Sequence, residues 1–130
     1  MAALTPAACD KAEMLPLIDQ ALSWDLNRPE LPVAEAALDT AERLTPLGRI
    51  VADDLRALCL TIPADSDAHV AAQATLTEAA LGLSLKPLAR TAGRRPAAHR
   101  AQNLARLIQA LLHATEGVVA STATAKEGRR

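Results

Sequence analysis

The chain has no phenylalanine, no tyrosine and a single tryptophan, Trp24, so its interior is not filled with rings. Aromatic and β-branched residues are what pleated sheets pack with, and their scarcity excludes a β-sandwich or barrel. Cysteine is nearly absent as well. Cys9 and Cys59 stand fifty residues apart and belong to no Cys-x-x-Cys or Cys/His spacing, which leaves a disulfide framework or a metal site without support. Neither sign of charge dominates: the formal net charge is −1, so no global field steers the chain to nucleic acid or to a membrane surface. No basic segment followed by an apolar one opens the chain, and no window approaches about 18 uninterrupted apolar residues. A cytoplasmic protein is the expectation.

What is present is alanine and leucine, about two residues in five between them, in 130 residues of which 50% are hydrophobic. That composition and length predict one all-α domain. Arginine outnumbers lysine eleven to three, which together with the alanine excess matches the codon bias of a GC-rich genome.

Four segments carry helical periodicity. Residues 1–8 are small and apolar without period and are expected to be loose. A first helix is expected from near Asp10, firm only from Leu15 because Pro16 lies in the run, with Met14, Leu15, Ile18 and Leu22 on one face. Residues 23–32 hold two prolines and no period and read as a connector, under which Trp24 and Leu26 tuck. From Pro32 and Val33 onward, Ala37, Ala41, Leu44, Gly48, Val51, Leu55, Leu58 and Ile62 alternate steps of three and four. The stripe crosses Pro46 without changing phase, which predicts one kinked helix of roughly 30 residues rather than two.

Asp65, Ser66 and Asp67 then offer N-caps to a third helix, whose expected core stripe is Val70, Ala74, Leu81, Leu85 and Leu88, widened by Leu76 and Leu83. Pro96 is expected to open a fourth helix along Ala97, Ala101, Leu104, Ile108, Leu111 and Thr115, with Gly117 stopping it. The expected architecture is an antiparallel up-and-down bundle of four helices, the first short and the second long and kinked near Pro46. The domain is expected to span 1–119, with 120–130 a disordered tail.

Chemistry has few footholds. His99 and His113 share a predicted helix face but stand about 21 Å apart, too far to share a metal ion. His69, beside the acidic cap of the third helix, is expected to pair with Asp65 or Asp67. Asp53 and Asp54 diverge by about 100° around their helix and cannot act as a facing acid and base. Asp39 and Arg43 are spaced as an i, i+4 ion pair, and Cys59 falls beside an apolar stripe and is expected to be buried. No Gly-x-Ser-x-Gly elbow or phosphate loop is present. The sequence therefore nominates no catalytic, cofactor-binding or metal-ligating residue.

The candidate partner-binding residues are Arg90, Arg94, Arg95, His99 and Arg100, with Arg106 near them, and Trp24. Arg94 and Arg95 lie at a helix N-terminus, where the macrodipole disfavours positive charge, so helix stability does not explain them. Their two readings are a solvated turn and a contact for an acidic partner. Trp24 is either a plug for one end of the bundle or an interaction hot spot.

At Ala21-Leu22-Ser23-Trp24-Asp25-Leu26-Asn27-Arg28-Pro29, at Gly48-Arg49-Ile50 in the long helix and at Ala101-Gln102-Asn103-Leu104-Ala105-Arg106-Leu107, the chain resembles a family of small uncharacterised actinobacterial helical proteins labelled natural product biosynthesis protein. The likeness covers roughly residues 20–117 and is carried mainly by Trp24-Asp25-Leu26; Thr45-Pro46 departs from the uninterrupted helix of the family. The resemblance implies an association with secondary-metabolite gene clusters and assigns no reaction or catalytic residue. The expected function is a non-catalytic accessory protein that binds another protein, with homodimerisation a further possibility. The alternatives are a ligand carrier or small enzyme with an apolar pocket between helices, and a DNA-binding regulator using the helix after Arg95.

Overall fold

The computed structural model describes the backbone of residues 6–127 and the side chains of residues 12–123. Within them the chain forms four helices packed on one another: α1 (Pro6–Ser23), α2 (Ala34–Cys59), α3 (Asp67–Leu83) and α4 (Arg94–Glu127). The all-α four-helix architecture is the one the periodicity predicts. None of these helices is long and apolar enough to cross a membrane.

The packing is organised around α2 and α4, which share the most extensive interface, while α1 and α3 each pack against both and, among the described residues, do not approach each other closely. Alanine permits the close approach: Ala37 and Ala41 of α2 and Ala97, Ala98, Ala101 and Ala105 of α4 are all buried. Gly48 marks a tight point on this spine. A Cβ there would lie 2.8 Å from Leu83 Cδ2 of α3 and 3.2 Å from Ile108 Cγ1 of α4.

One core cluster draws on all four helices, with Met14, Ile18, Leu44, Leu55, Ile108 and Leu111 among its largest members. A smaller one, Ala37, Leu38, Ala97 and Ala98, joins the first turns of α2 and α4 and is covered by Trp24, Leu26, Leu31 and Leu88. Trp24 and Leu26 thus pack beneath the connector, as the sequence predicts.

Element boundaries depart from expectation in instructive ways. The first helix begins at Pro6 and runs for 18 residues, so it is neither short nor delayed to Asp10 or Leu15; residues 1–5 lie outside the described region. Pro16 sits inside it and forfeits one backbone bond. That loss is borne because Met14, Leu17, Ile18 and Ala21 bury a continuous face, whereas Leu15 turns outward. α2 is one helix through Pro46, starting at Ala34 rather than Pro32 and ending at Cys59 rather than Ile62. Its stripe is buried in the expected phase from Ala37 to Leu55.

The register of α3 is the main correction. Ser66 caps it, its Oγ accepting from the His69 amide at 3.2 Å, so His69 contributes its backbone rather than a ring–carboxylate pair. The buried stripe is Ala72, Leu76, Ala79 and Leu83, while Val70, Ala74, Leu81 and Leu85 face outward. The expected stripe has a flaw that explains the outcome: at the step between Ala74 and Leu81 its face carries Thr77 and Glu78. The observed stripe is apolar at every step.

α4 starts at Arg94, with Gly93 O receiving the Ala97 amide at 3.1 Å and Pro96 inside the first turn. Gly117 does not end it, and the helix continues through Glu127 where a disordered tail is expected; residues 128–130 lie outside the described region. An internal glycine costs only about 1 kcal/mol relative to alanine. Val118, fully buried one position later, holds the helix to the core.

Candidate functional site

The basic residues singled out from the sequence have different partners. Arg90, in the connector between α3 and α4, reaches across to α2. Its Nη1 donates to Asp39 Oδ1 at 3.0 Å, and its Nη2 lies 2.8 Å from each Glu42 carboxylate oxygen. Asp39, and then the charge of Glu42, raise the guanidinium pKa above its ordinary value. Asp39 is therefore engaged across elements rather than with Arg43 in its own helix, and Arg43 bonds Glu13 of α1 at 2.7 Å.

Arg100 is half-buried and donates from Nη1 to the Lys86 carbonyl at 2.8 Å, fastening the same connector to α4. Arg94 and Arg95 are exposed in the first turn of α4, and among the described residues they have no carboxylate at salt-bridge distance. His99 is exposed one turn further on, its Nε2 3.5 Å from Asn103 Nδ2. Trp24 is half-buried and packs against both core clusters.

Beneath the connector lies a groove of about 320 Å³. One wall is α2, contributing Leu38, Ala41 and Pro46. The other comes from Leu85 and Leu88 of the connector and Leu104 of α4. Arg49 and Arg100 line it as well, and Arg49 donates from Nη2 to the Leu83 carbonyl at 3.1 Å, at the end of α3. Glu42 is the groove's only carboxylate among the described residues, and Arg90 already holds it. A second groove, of about 370 Å³, shares Leu85, Arg100 and Leu104 and adds Glu78 and Arg106.

The outer face of α3 is the other unusual surface. Val70 is 59% exposed and Leu81 70%, with Ala74 and Thr77 exposed between them. From Ala68 to Leu85 the only charged side chain is Glu78. A helix apolar on both sides is normally buried on both sides; here α2 and α4 cover one.

Other chemistry-bearing groups are occupied or dispersed. Asp53 pairs with Arg56, and Cys59 is buried, which pushes its thiol pKa up. Among the described residues no three His, Cys, Asp or Glu side chains are grouped to hold a metal ion.

No family model, curated protein or solved structure matches the chain.

Two residues that tie elements together here carry no signal in the sequence. Gln102 is 2% exposed, and its Nε2 donates to Ala21 O at 2.9 Å and to Trp24 O, capping the end of α1 from the side of α4. Nothing in sequence distinguishes a glutamine that turns inward from one that faces water. Arg49 sits on the exposed face of a helical stripe and gains its place in the groove from elements more than thirty residues away.

Proposed function

We propose that this chain is a non-catalytic helical accessory protein that works by protein–protein association through the outer face of α3. The first partner it accepts is a second copy of itself. The observation that carries this is the uncovered stripe of Val70, Ala74 and Leu81, in which the small Thr77 turns its hydroxyl back to Gln73 O; the four positions run in steps of four, three and four. That is the spacing of a helix–helix seam.

The stripe is self-complementary. A second α3 running the opposite way about a two-fold axis sets Val70 against Leu81, Ala74 against Thr77 and Gln73 against Glu78. The large residues fall at the two ends, the small ones at the centre let the backbones approach, and no like charges meet. Arg94 and Arg95 remain free at the start of α4 to address an acidic surface of a further partner. The resemblance at Trp24-Asp25-Leu26 suggests natural product biosynthesis as the setting.

The test is light-scattering mass across a concentration series, with Leu81→Glu and Val70→Glu beside the parent. The expected parent species is twice 13.6 kDa, with both variants monomeric and their helical circular dichroism intact. A parent chain that stays monomeric at every concentration, or variants that remain dimeric, would refute it.

A further inference from the structure

We propose that the groove under the α3–α4 connector is a binding site for a small monocarboxylate with an apolar tail. Its walls are hydrocarbon: Leu38 and Pro46 on α2, Leu85 and Leu88 on the connector and Leu104 on α4. Its volume of about 320 Å³ lies at the small end of ligand clefts, which suits a medium-length acyl chain rather than a large ring system.

The charges select the head group. Arg49 and Arg100 both line the groove, and among the described residues neither has a carboxylate at salt-bridge distance. Each gives a hydrogen bond to a backbone carbonyl, Leu83 O and Lys86 O respectively. That occupies one of a guanidinium's five N–H donors and neutralises none of its charge. Glu42, the groove's own carboxylate, is held by Arg90, which Asp39 also holds. Glu78 lines the neighbouring groove with both Arg100 and Arg106, and Asp53 lines a third with Arg49 and Arg56, the arginine it pairs with. An incoming carboxylate therefore meets two guanidiniums that hold no carboxylate at salt-bridge distance among the described residues, beside an apolar trough, and a guanidinium is shaped to receive it through paired N–H bonds.

None of Val70, Ala74, Thr77 and Leu81 lines this groove, although Leu85, one turn beyond Leu81, does, and the site needs no second copy of the chain. The probe is decanoate, titrated into the full chain by calorimetry and by amide chemical-shift mapping. The controls are decanol, which keeps the tail without the charge, and decyltrimethylammonium, which inverts the charge. The expected result is saturable 1:1 binding of decanoate with shifts clustered at Leu38, Arg49, Leu88 and Arg100. Both controls should bind at least tenfold more weakly. Arg49→Gln and Arg100→Gln should each weaken decanoate at least fivefold, and Arg49→Lys, which keeps the charge but not the paired N–H donors, should fall between the parent and Arg49→Gln.

Equal binding of decanoate and decanol would overturn the proposal, as would shifts located elsewhere or affinity unchanged in both glutamine variants. So would the absence of saturable binding. Because Leu81→Glu leaves the groove intact, decanoate binding in that variant separates failure at this site from failure of the association surface.

Discussion

Replacing Gln102 by leucine tests whether one buried amide fastens α1 to α4. The Gln102 side chain is 2% exposed and its Nε2 serves two backbone carbonyls, Ala21 O at 2.9 Å and Trp24 O. Leucine has nearly the same volume, so the change removes donors without opening a large cavity. Ala21 O keeps a long bond from the Trp24 amide at 3.4 Å, but the Trp24 carbonyl loses the donor Gln102 provides. Losing the buried bond to Ala21 O and leaving the part-buried Trp24 O without its donor together cost about 1–3 kcal/mol. Gln102→Leu is expected to lose about 2 kcal/mol, roughly a thirtyfold shift in the unfolding equilibrium. In a chain of this size that lowers Tm by about 6–10 °C.

Gln102→Glu sharpens the test because it adds a pH dependence of known sign. An ionised carboxylate there would face two carbonyl oxygens in a dry site, so its pKa in the folded state rises above the ordinary value of about 4.3. A raised folded pKa gives stability that is complete below the unfolded value and is lost as pH climbs toward the folded one. Near pH 4 the glutamate variant should be at least as stable as the leucine variant, because its carboxylic acid O–H can donate to one of the two carbonyls, and above that it should lose about 1.4 kcal/mol per pH unit until its folded pKa is passed. Urea unfolding followed by helical circular dichroism measures both, and the emission of Trp24, the only aromatic residue, reports on the same junction. A leucine variant within about 0.5 kcal/mol of the parent, a change typical of surface sites, would show that these bonds do not hold α1 in place.

Two further outcomes follow from packing and burial. Gly48→Ala gains up to about 1 kcal/mol of helix propensity but forces a methyl group against Leu83 and Ile108, and overpacking costs about 1–3 kcal/mol. A net loss of about 1 kcal/mol in urea unfolding is expected, larger for Gly48→Val, and a stabilised Gly48→Ala would show that Leu83 yields freely. In a Cys9→Ser background, Cys59 should alkylate at pH 8 at least about tenfold more slowly than an unstructured peptide thiol, because burial raises its pKa. The rate should rise through the urea transition; fast labelling of the folded chain would contradict the buried position.

How much of this was legible in the residues depended on contrast between helix faces. α2 and most of α4 were readable because each carries one apolar stripe against a charged opposite face. α3 carries two stripes, and the large residues Val70, Leu81 and Leu85 lie on the one that is not covered, so its periodicity alone points to the wrong face. The end of α4 was missed for another reason: Ala120 to Lys126 has no stripe, yet extending a nucleated helix through alanine and polar residues is inexpensive. The site depends on side chains meeting across long stretches of chain, Arg90 with Asp39 and Arg49 with Leu83 O, which no local spacing encodes.

The separation of α1 from α3 among the described residues shapes how the molecule can come apart. Each flank leans on the shared α2–α4 spine alone, so either can lift away while the other stays seated. Amide exchange would then resolve two independent openings, with Ala21 reporting on one and Leu76 on the other. Damage to one flank would spread to the other only by loosening the spine between them.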